Sequence, residues 1–480
     1  MLILRLSGLL LCAFVSFSQQ LECSQIATND QVAGRILKIP NNADNPVNMT
    51  PNFNCTYTIR PPGMVSAQIR VTNVLNGVDD VISVTDGLAH KTVINRNSDS
   101  SVVFYVFPQT ETNVNVVGGN GNTSSFLLTI TYSSLPTATQ KQLQKDQNLN
   151  YFLLNSLQNQ PITVSSDEKI TVTVARSGHI TDVFDNYFVV DGDFSSSKSS
   201  VNRLVDFETV NFVSTGNSLT IVGLDNATSY ASVIFTPTSA TAGYSKFAGI
   251  TVAAGQTSTV SVKASDGQKA AVIVVAKDQR QLVLDRLEFP ASDSCTVSSG
   301  TGSPNSYSKK LIDFSSDPYS LPQLFPYPYF SIIVENCDAQ FHLTTDTPSN
   351  YYNISQEKAG FIFSPSYFNL NENADFNVTF VYTGDDSKQF VVDVDGVTVN
   401  SNGKLDIDIY DSEWRKTLST VITGNQEGTR SKASGSYLNV QMSGNGTARL
   451  IYQLTSSSFS RFGVPALALT ISFMVLTRIQ

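Results

Sequence analysis

The stretch Asp185-Asn186-Tyr187-Phe188-Val189-Val190-Asp191-Gly192 decides the fold class. In an extended strand, Tyr187 and Val189 face one way and Asn186, Phe188 and Val190 the other. Asp191-Gly192 then offers the φ > 0 conformation of a tight hairpin turn. The same frame stands at Asp80-Val81-Ile82-Ser83-Val84-Thr85-Asp86-Gly87 and, worn, at Leu405-Asp406-Ile407-Asp408-Ile409-Tyr410-Asp411-Ser412. The third and fifth positions are apolar each time: Tyr187/Val189, Ile82/Val84 and Ile407/Ile409. A strand-and-turn unit used three times predicts an all-β chain of tandem antiparallel β-sandwiches.

Working outward from these stretches gives the organisation. Residues 1–18 hold one early charge, Arg5, an apolar run over 6–17, and small Ser16 and Ser18 before a cleavage point, as a secretory signal does. Residues 19–133 alternate short β-rich runs with Pro, Gly and Asn clusters, the rhythm of a sandwich. Here Gly118-Gly119-Asn120-Gly121-Asn122 reads as a hairpin loop; it lacks the lysine of a phosphate-binding loop. Residues 134–150 are glutamine-rich and polar, and read as a linker with a short helix after Pro136. The β pattern resumes over 151–345, with one unit at 151–245. Residues 298–308 read as a Gly/Ser-rich loop and 318–328 as a proline-rich connection. Residues 346–455 form the last β-domain, and 456–480 the terminal signal.

Secretion changes how the cysteines read. Cys12 leaves with the signal, so Cys23, Cys55, Cys295 and Cys337 remain, and four cysteines allow three pairings. Proximity favours Cys23–Cys55 and Cys295–Cys337. Seven Asn-x-Ser/Thr sequons, at Asn48, Asn54, Asn122, Asn226, Asn353, Asn377 and Asn445, agree with an exported glycoprotein. At the far end, the apolar run 463–477 falls short of the roughly 20 residues a spanning helix needs. Ser456, Ser457 and Ser458 precede it. The combination reads as a glycosylphosphatidylinositol attachment signal, in preference to a single spanning helix or an unanchored secreted form.

Charge and motifs exclude several function classes. The 40 acidic residues outnumber the 31 basic ones, and the imbalance grows once Arg5, Arg461 and Arg478 leave with the processed ends. A reader of nucleic-acid backbones needs a basic face, and none is visible. Only three histidines exist, His90, His179 and His342, scattered, and no cysteine pair has CxxC spacing, so neither a metal nor another cofactor is expected. Gly-x-Ser-x-Gly and His-Glu-x-x-His are missing. Asp79-Asp80, Asp385-Asp386 and Asp406/Asp408 could supply a paired-carboxylate hydrolase, but solvated surface charge accounts for them more simply. The expectation is a protein without catalytic residues.

Three motifs resemble the CUB family, more closely the secreted CUB-like proteins of nematodes. Gly360-Phe361-Ile362-Phe363-Ser364-Pro365-Ser366-Tyr367 is similar to the family's opening Gly-x-Ile-x-Ser-Pro-x-Tyr. Cys55-Thr56-Tyr57-Thr58-Ile59 resembles Cys-x-Trp-x-Ile and suggests Cys23 as the partner of Cys55. The stretches 80–87 and 185–192 resemble Tyr-Asp-Tyr-Leu-x-Ile-x-Asp-Gly. The family's second disulfide is missing from every unit. In its calcium site Asp185 and Asp225 would stand at the two aspartate positions, but Ser177 replaces the glutamate, so no calcium site is expected. The resemblance implies CUB-like jelly-roll sandwiches and a cell-surface recognition protein of epithelia active in innate defence, with a protein or glycan ligand. The alternative is a structural surface coat without a specific ligand.

Overall fold

The computed structural model describes residues 21–456 except 22, 41, 122–123, 145–147, 180–181, 194–199, 226, 266, 278, 305–307, 318–319, 385–387 and 401. The signal at 1–18, Asn122, Asn226, Ser457, Ser458, Asp385 and Asp386 therefore lie outside the described residues. The chain divides into two units, Met1–Pro136 and Thr137–Gln480.

The first unit encloses one core between two antiparallel sheets. One sheet runs in the order Ile36–Ile39, Ser125–Ser134, Val65–Val74, Ser101–Val106, with Val47–Asn48 also on Ser125–Ser134. The other runs Asn54–Ile59, Thr112–Val117, Val81–Asp86, Lys91–Ile94. Successive side chains on a strand point to opposite faces, so every second residue reaches the core. Tyr57 and Ile59, Ile82 and Val84, Val114 and Val116 meet Ile69, Val71, Leu128 and Ile130 there. Cys23 and Cys55 are bonded.

The second unit uses the same strand order twice more. Ile162–Ser165, Ser218–Gly223, Tyr187–Asp191 and Ser200–Arg203 lie side by side in that order. They share a core with a sheet that includes Asn150–Leu153, Ser232–Pro237 and Ile170–Arg176. Tyr187 and Val189 point into that core, as their alternation predicts. Near the C-terminal end, Phe376–Tyr382, Tyr437–Ser443, Lys404–Tyr410 and Lys416–Ile422 form one layer, with Asn353–Ile354 at its edge. Lys358–Phe363, Gly446–Ser456, Lys388–Val399 and Thr429–Ser434 form the layer opposite.

Residues 246–345 follow another plan and alter the expected string of separate antiparallel sandwiches. Lys246–Val252 pairs in parallel with Ile170–Arg176 through Ala175–Gly249 and Arg176–Ile250, and in parallel with Lys269–Ala276. One nine-stranded sheet therefore continues from the 151–245 unit into the next core. Small side chains permit the junction: a Cβ on Gly249 would stand 2.8 Å from the Cβ of Ala175. Thr257–Lys263, Asp338–Thr344, Leu282–Glu288 and Gln323–Phe325 form the second layer, and Cys295 and Cys337 are bonded. Gln323 is fully buried and links this core to the last sandwich. Its side-chain amide both donates to and accepts from the backbone of Phe361, at 3.0 Å each way, as a neighbouring strand would.

Four local expectations are corrected. Stretch 134–150 is not all linker, and none of its described residues is helical: Ser125–Ser134 extends into it and Thr139–Gln142 adds an edge strand parallel to Ile162–Ser165. Loop 118–122 is no hairpin, since it crosses from one sheet, at Val117, to the other, at Ser125. Stretch 298–308 begins as strand, Thr296–Thr301, because its small residues allow close packing: a Cβ on Gly300 would meet Ser308 Oγ at 2.8 Å. Finally, Tyr187–Asp191 and Ser200–Arg203 pair from Asp191 to Ser200, so the connection is longer than a tight turn, although Gly192 does have φ +104°.

Candidate functional site

The aspartates of the recurring frame organise loops in two ways. Asp80 is almost completely buried and accepts hydrogen bonds from Gly77 N (2.8 Å), Gly119 N (2.6 Å) and Ser124 Oγ. Burial works against its ionisation, but the three donors outweigh it and hold the carboxyl below the ordinary range. It is a loop clasp.

At the calcium-like positions of the middle unit, Asp225 accepts from Asn186 Nδ2 (2.8 Å) and Ala227 N (2.9 Å), while the Asp185 backbone carbonyl accepts from Arg203. Ser177 turns instead to Asp182, which takes Ser177 N (2.9 Å), Ser177 Oγ (2.7 Å), Tyr230 N (3.0 Å) and Ser229 Oγ (3.3 Å). Nothing in the sequence marked Asp182, because two of its partners, Ser229 and Tyr230, lie 47 and 48 positions away in the chain. Among the described residues no three His, Cys, Asp or Glu side chains gather as metal ligands would.

The outer face of the last sandwich is different. On Lys404–Tyr410 the residues Leu405, Ile407 and Ile409 point inward, so Asp406, Asp408 and Tyr410 face outward. Register places Tyr410 beside Tyr437 and Lys416, and Asp408 beside Asn439 and Ser419. Asp408 accepts from Ser419 Oγ (2.6 Å), Lys416 Nζ (2.9 Å) and the Tyr410 hydroxyl (3.2 Å). Burial again opposes ionisation, and these donors again prevail, keeping Asp408 charged. Asp406 pairs with Lys404 at 2.6 Å. A glycosidase acid needs a carboxyl pushed upward, and Asp408, held below the ordinary range, does not fit that role.

Beyond Tyr410, Asp411 accepts from Glu413 N and Arg415 N (2.9 Å each) and from Arg415 Nε (2.8 Å). These bonds shape the loop 411–415, which puts Trp414 in the left-handed region at φ +58°. The indole stacks on Tyr437, with centroids 4.0 Å apart and planes at 21°, and touches Tyr410 at its side. Trp414 remains 57% exposed. Gly435 lets the chain before Tyr437 pass close to the neighbouring strand: a Cβ there would meet Tyr410 O at 2.6 Å.

The first unit repeats the loop. Asp86 Oδ1 accepts from Leu88 N and His90 N, and the left-handed residue is Ala89, φ +68°, where the sequence pointed to Gly87. A second device recurs as well. Asn115 Nδ2 bridges Asn54 Oδ1 and Thr56 Oγ1 of one sequon, and Asn439 Nδ2 bridges Asn377 Oδ1 and Thr379 Oγ1 of another. Asn48, Asn54, Asn353, Asn377 and Asn445 are all exposed.

Residues 18–136 match the family model of the CUB-like domain. The match ends with the first unit, and the strand order of one sheet of that unit recurs in the sandwiches around Tyr187 and Ile407. No curated protein matches the chain. Among solved structures it is similar to the CUB1-EGF-CUB2 domains of rat MASP-1 (10% identity, 42% of this chain and 99% of that one, TM-score 0.17). It is also similar to the extracellular region of zebrafish Gpr126/Adgrg6 (12%, 88% and 52%, TM-score 0.17). Likenesses this weak leave the fold resting on the strands and cores above. The CUB-like domain and the two disulfides point to an extracellular protein with an interaction module. No described helix is long and apolar enough to cross a membrane.

Proposed function

We propose that this protein is a non-catalytic recognition glycoprotein of the cell surface, held by a glycosylphosphatidylinositol anchor attached at Ser456, Ser457 or Ser458, and active in epithelial defence against pathogens. The observation that carries the reading is the Trp414 loop. A large aromatic side chain stands exposed on a rigid sheet face, on a loop whose backbone is already fixed by Asp411. Such a side chain adds little to a core and is well placed to meet a partner. The sequons and disulfides agree with a position outside the cell.

Two measurements test the reading. Surface-expressed protein should be released by a phosphatidylinositol-specific phospholipase; retention until detergent is added would remove the lipid anchor. Purified protein should bind microbial surfaces saturably. A protein with no saturable partner on them would be a coat component and not a receptor.

A further inference from the structure

We propose that the open face of Trp414 is the floor of a binding site for an uncharged pyranose ring, an inference that rests on the recognition reading and names its ligand. The backbone supports it first. A bulky residue at φ > 0 is a strained choice, and the equivalent loop in the first unit closes with Ala89. The loop itself therefore needs no aromatic residue. The strain at Trp414 is retained for what the side chain presents, and Tyr437 braces the indole from beneath.

The surroundings select the ligand. The Tyr410 ring lies beside the indole, and its hydroxyl leads into a polar cluster in which Asp408 accepts from Tyr410, Lys416 and Ser419, a hydrogen-bonding rim that starts at the edge of a flat apolar floor. A sugar ring offers the complement: a face of C–H groups edged by hydroxyls. The cations of the rim are already engaged, Lys416 with Asp408 and Arg415 with Asp411 and Glu413. Acidic side chains thus occupy the positive charge, and a phosphate, sulfate or sialic acid would meet them without a cation to spare. A protein partner of ordinary size needs about 800 Å² on each side, far more than one indole and its rim provide.

The chain's own glycan is a poorer occupant. Asn377 lies opposite Gln441, four residues along the strand from Tyr437, or about 14 Å away. The equivalent sequon, Asn54, has the same asparagine bridge but only Ala89 in the equivalent loop. Holding such a glycan therefore does not require the aromatic floor.

Trp414 is the only tryptophan in the chain, so its fluorescence reports on the site directly. The full glycoprotein is titrated with laminarin, mannan and chitin oligosaccharides, and with polygalacturonate and polysialic acid, charged on every residue, as anionic counterparts. The expected result is a saturable change in emission with at least one neutral sugar and none with the anionic pair. Trp414→Gly, which relieves the backbone strain but gives up the stack on Tyr437, should stay folded with an unfolding midpoint close to that of the wild type while weakening calorimetric binding at least about tenfold. Unchanged emission with every neutral sugar, or undiminished binding by Trp414→Gly, overturns the proposal. So does an emission change produced only by Asn377→Gln, which would make the site a holder for the protein's own glycan. Microbial binding that survives Trp414→Gly sinks the sugar site and leaves the recognition reading standing; loss of every saturable partner in the wild type sinks that reading itself.

Discussion

Ala89 and Trp414 hold the same position in the same hairpin loop, each three residues after an aspartate whose Oδ1 accepts two backbone N–H groups. Their φ angles are +68° and +58°. One loop thus ends in a methyl group and the other in an indole. The difference lies in what each presents to solvent, because the backbone is the same.

Tyr437 is the support that makes the indole rigid. Tyr437→Ala should free Trp414, lowering its fluorescence anisotropy and shifting its emission to the red. Stacked aromatic pairs contribute about 0.5–1.5 kcal/mol, so the loss of stability should be of that order. An unchanged anisotropy would mean that the loop alone fixes the ring.

Asp80 should make the first unit sensitive to acid. Its folded-state carboxyl is held below the ordinary range, so its contribution is present above the unfolded value, about 3.9, and is lost as pH falls through the folded one. Asp80→Asn leaves donors among Gly77, Gly119 and Ser124 without their acceptor, at a cost of about 1–3 kcal/mol near neutrality. Hydrogen exchange of residues 36–134 in the full chain should show the deficit at pH 7. Urea midpoints of wild type and variant should converge as pH falls below 4; midpoints that stay equally far apart would contradict the assignment.

Lys358 should act in the opposite pH range. Its Nζ donates to the carbonyls of Asn350 (3.2 Å) and Tyr351 (3.4 Å), and burial lowers its pKa to about 8. Between that value and the unfolded lysine value, about 10.4, the unfolded chain binds the extra proton, so stability rises with pH. Burial pushes the hydroxyls of Tyr351 and Tyr452 upward, and above pH 10 those groups reverse the trend. Urea midpoints from pH 7.5 to 9.5 should climb in the wild type and stay level in Lys358→Met.

The two disulfides close loops with separations of 32 and 42 residues. In the chain-entropy picture each contributes roughly 3–4 kcal/mol. The double variants Cys23→Ala/Cys55→Ala and Cys295→Ala/Cys337→Ala should each lower the urea midpoint. The first should raise exchange mainly within residues 36–134, and the second mainly within 246–345. A uniform increase from either would show that the chain unfolds as one body.

Much of this was legible from neighbouring residues. The alternation of Ile82/Val84, Tyr187/Val189 and Ile407/Ile409 marked core strands, because a side chain's face depends only on its position along its own strand. Cysteine proximity pointed to both observed pairings. Partnerships across strands were less legible. Asp182 meets Tyr230 only once two distant loops are brought together, and Asn439 meets Asn377 only once register is set, since a one-residue slip would turn Asn439 to the opposite face. The left-handed residue was also misplaced in the first unit, at Gly87 instead of Ala89. There the hydrogen bonds of Asp86 decided the turn against the residue with the greatest freedom.

The amino-acid order by itself determined that this chain makes strands, where most of them run and which cysteines lie within reach of one another, since these follow from short-range periodicity and spacing. Only the tertiary structure decided that Ala175 and Gly249 join two cores in one sheet, and that Trp414 lies open on Tyr437. Both arise from contacts between segments distant in the chain. They depend on packing and register, which no local pattern encodes.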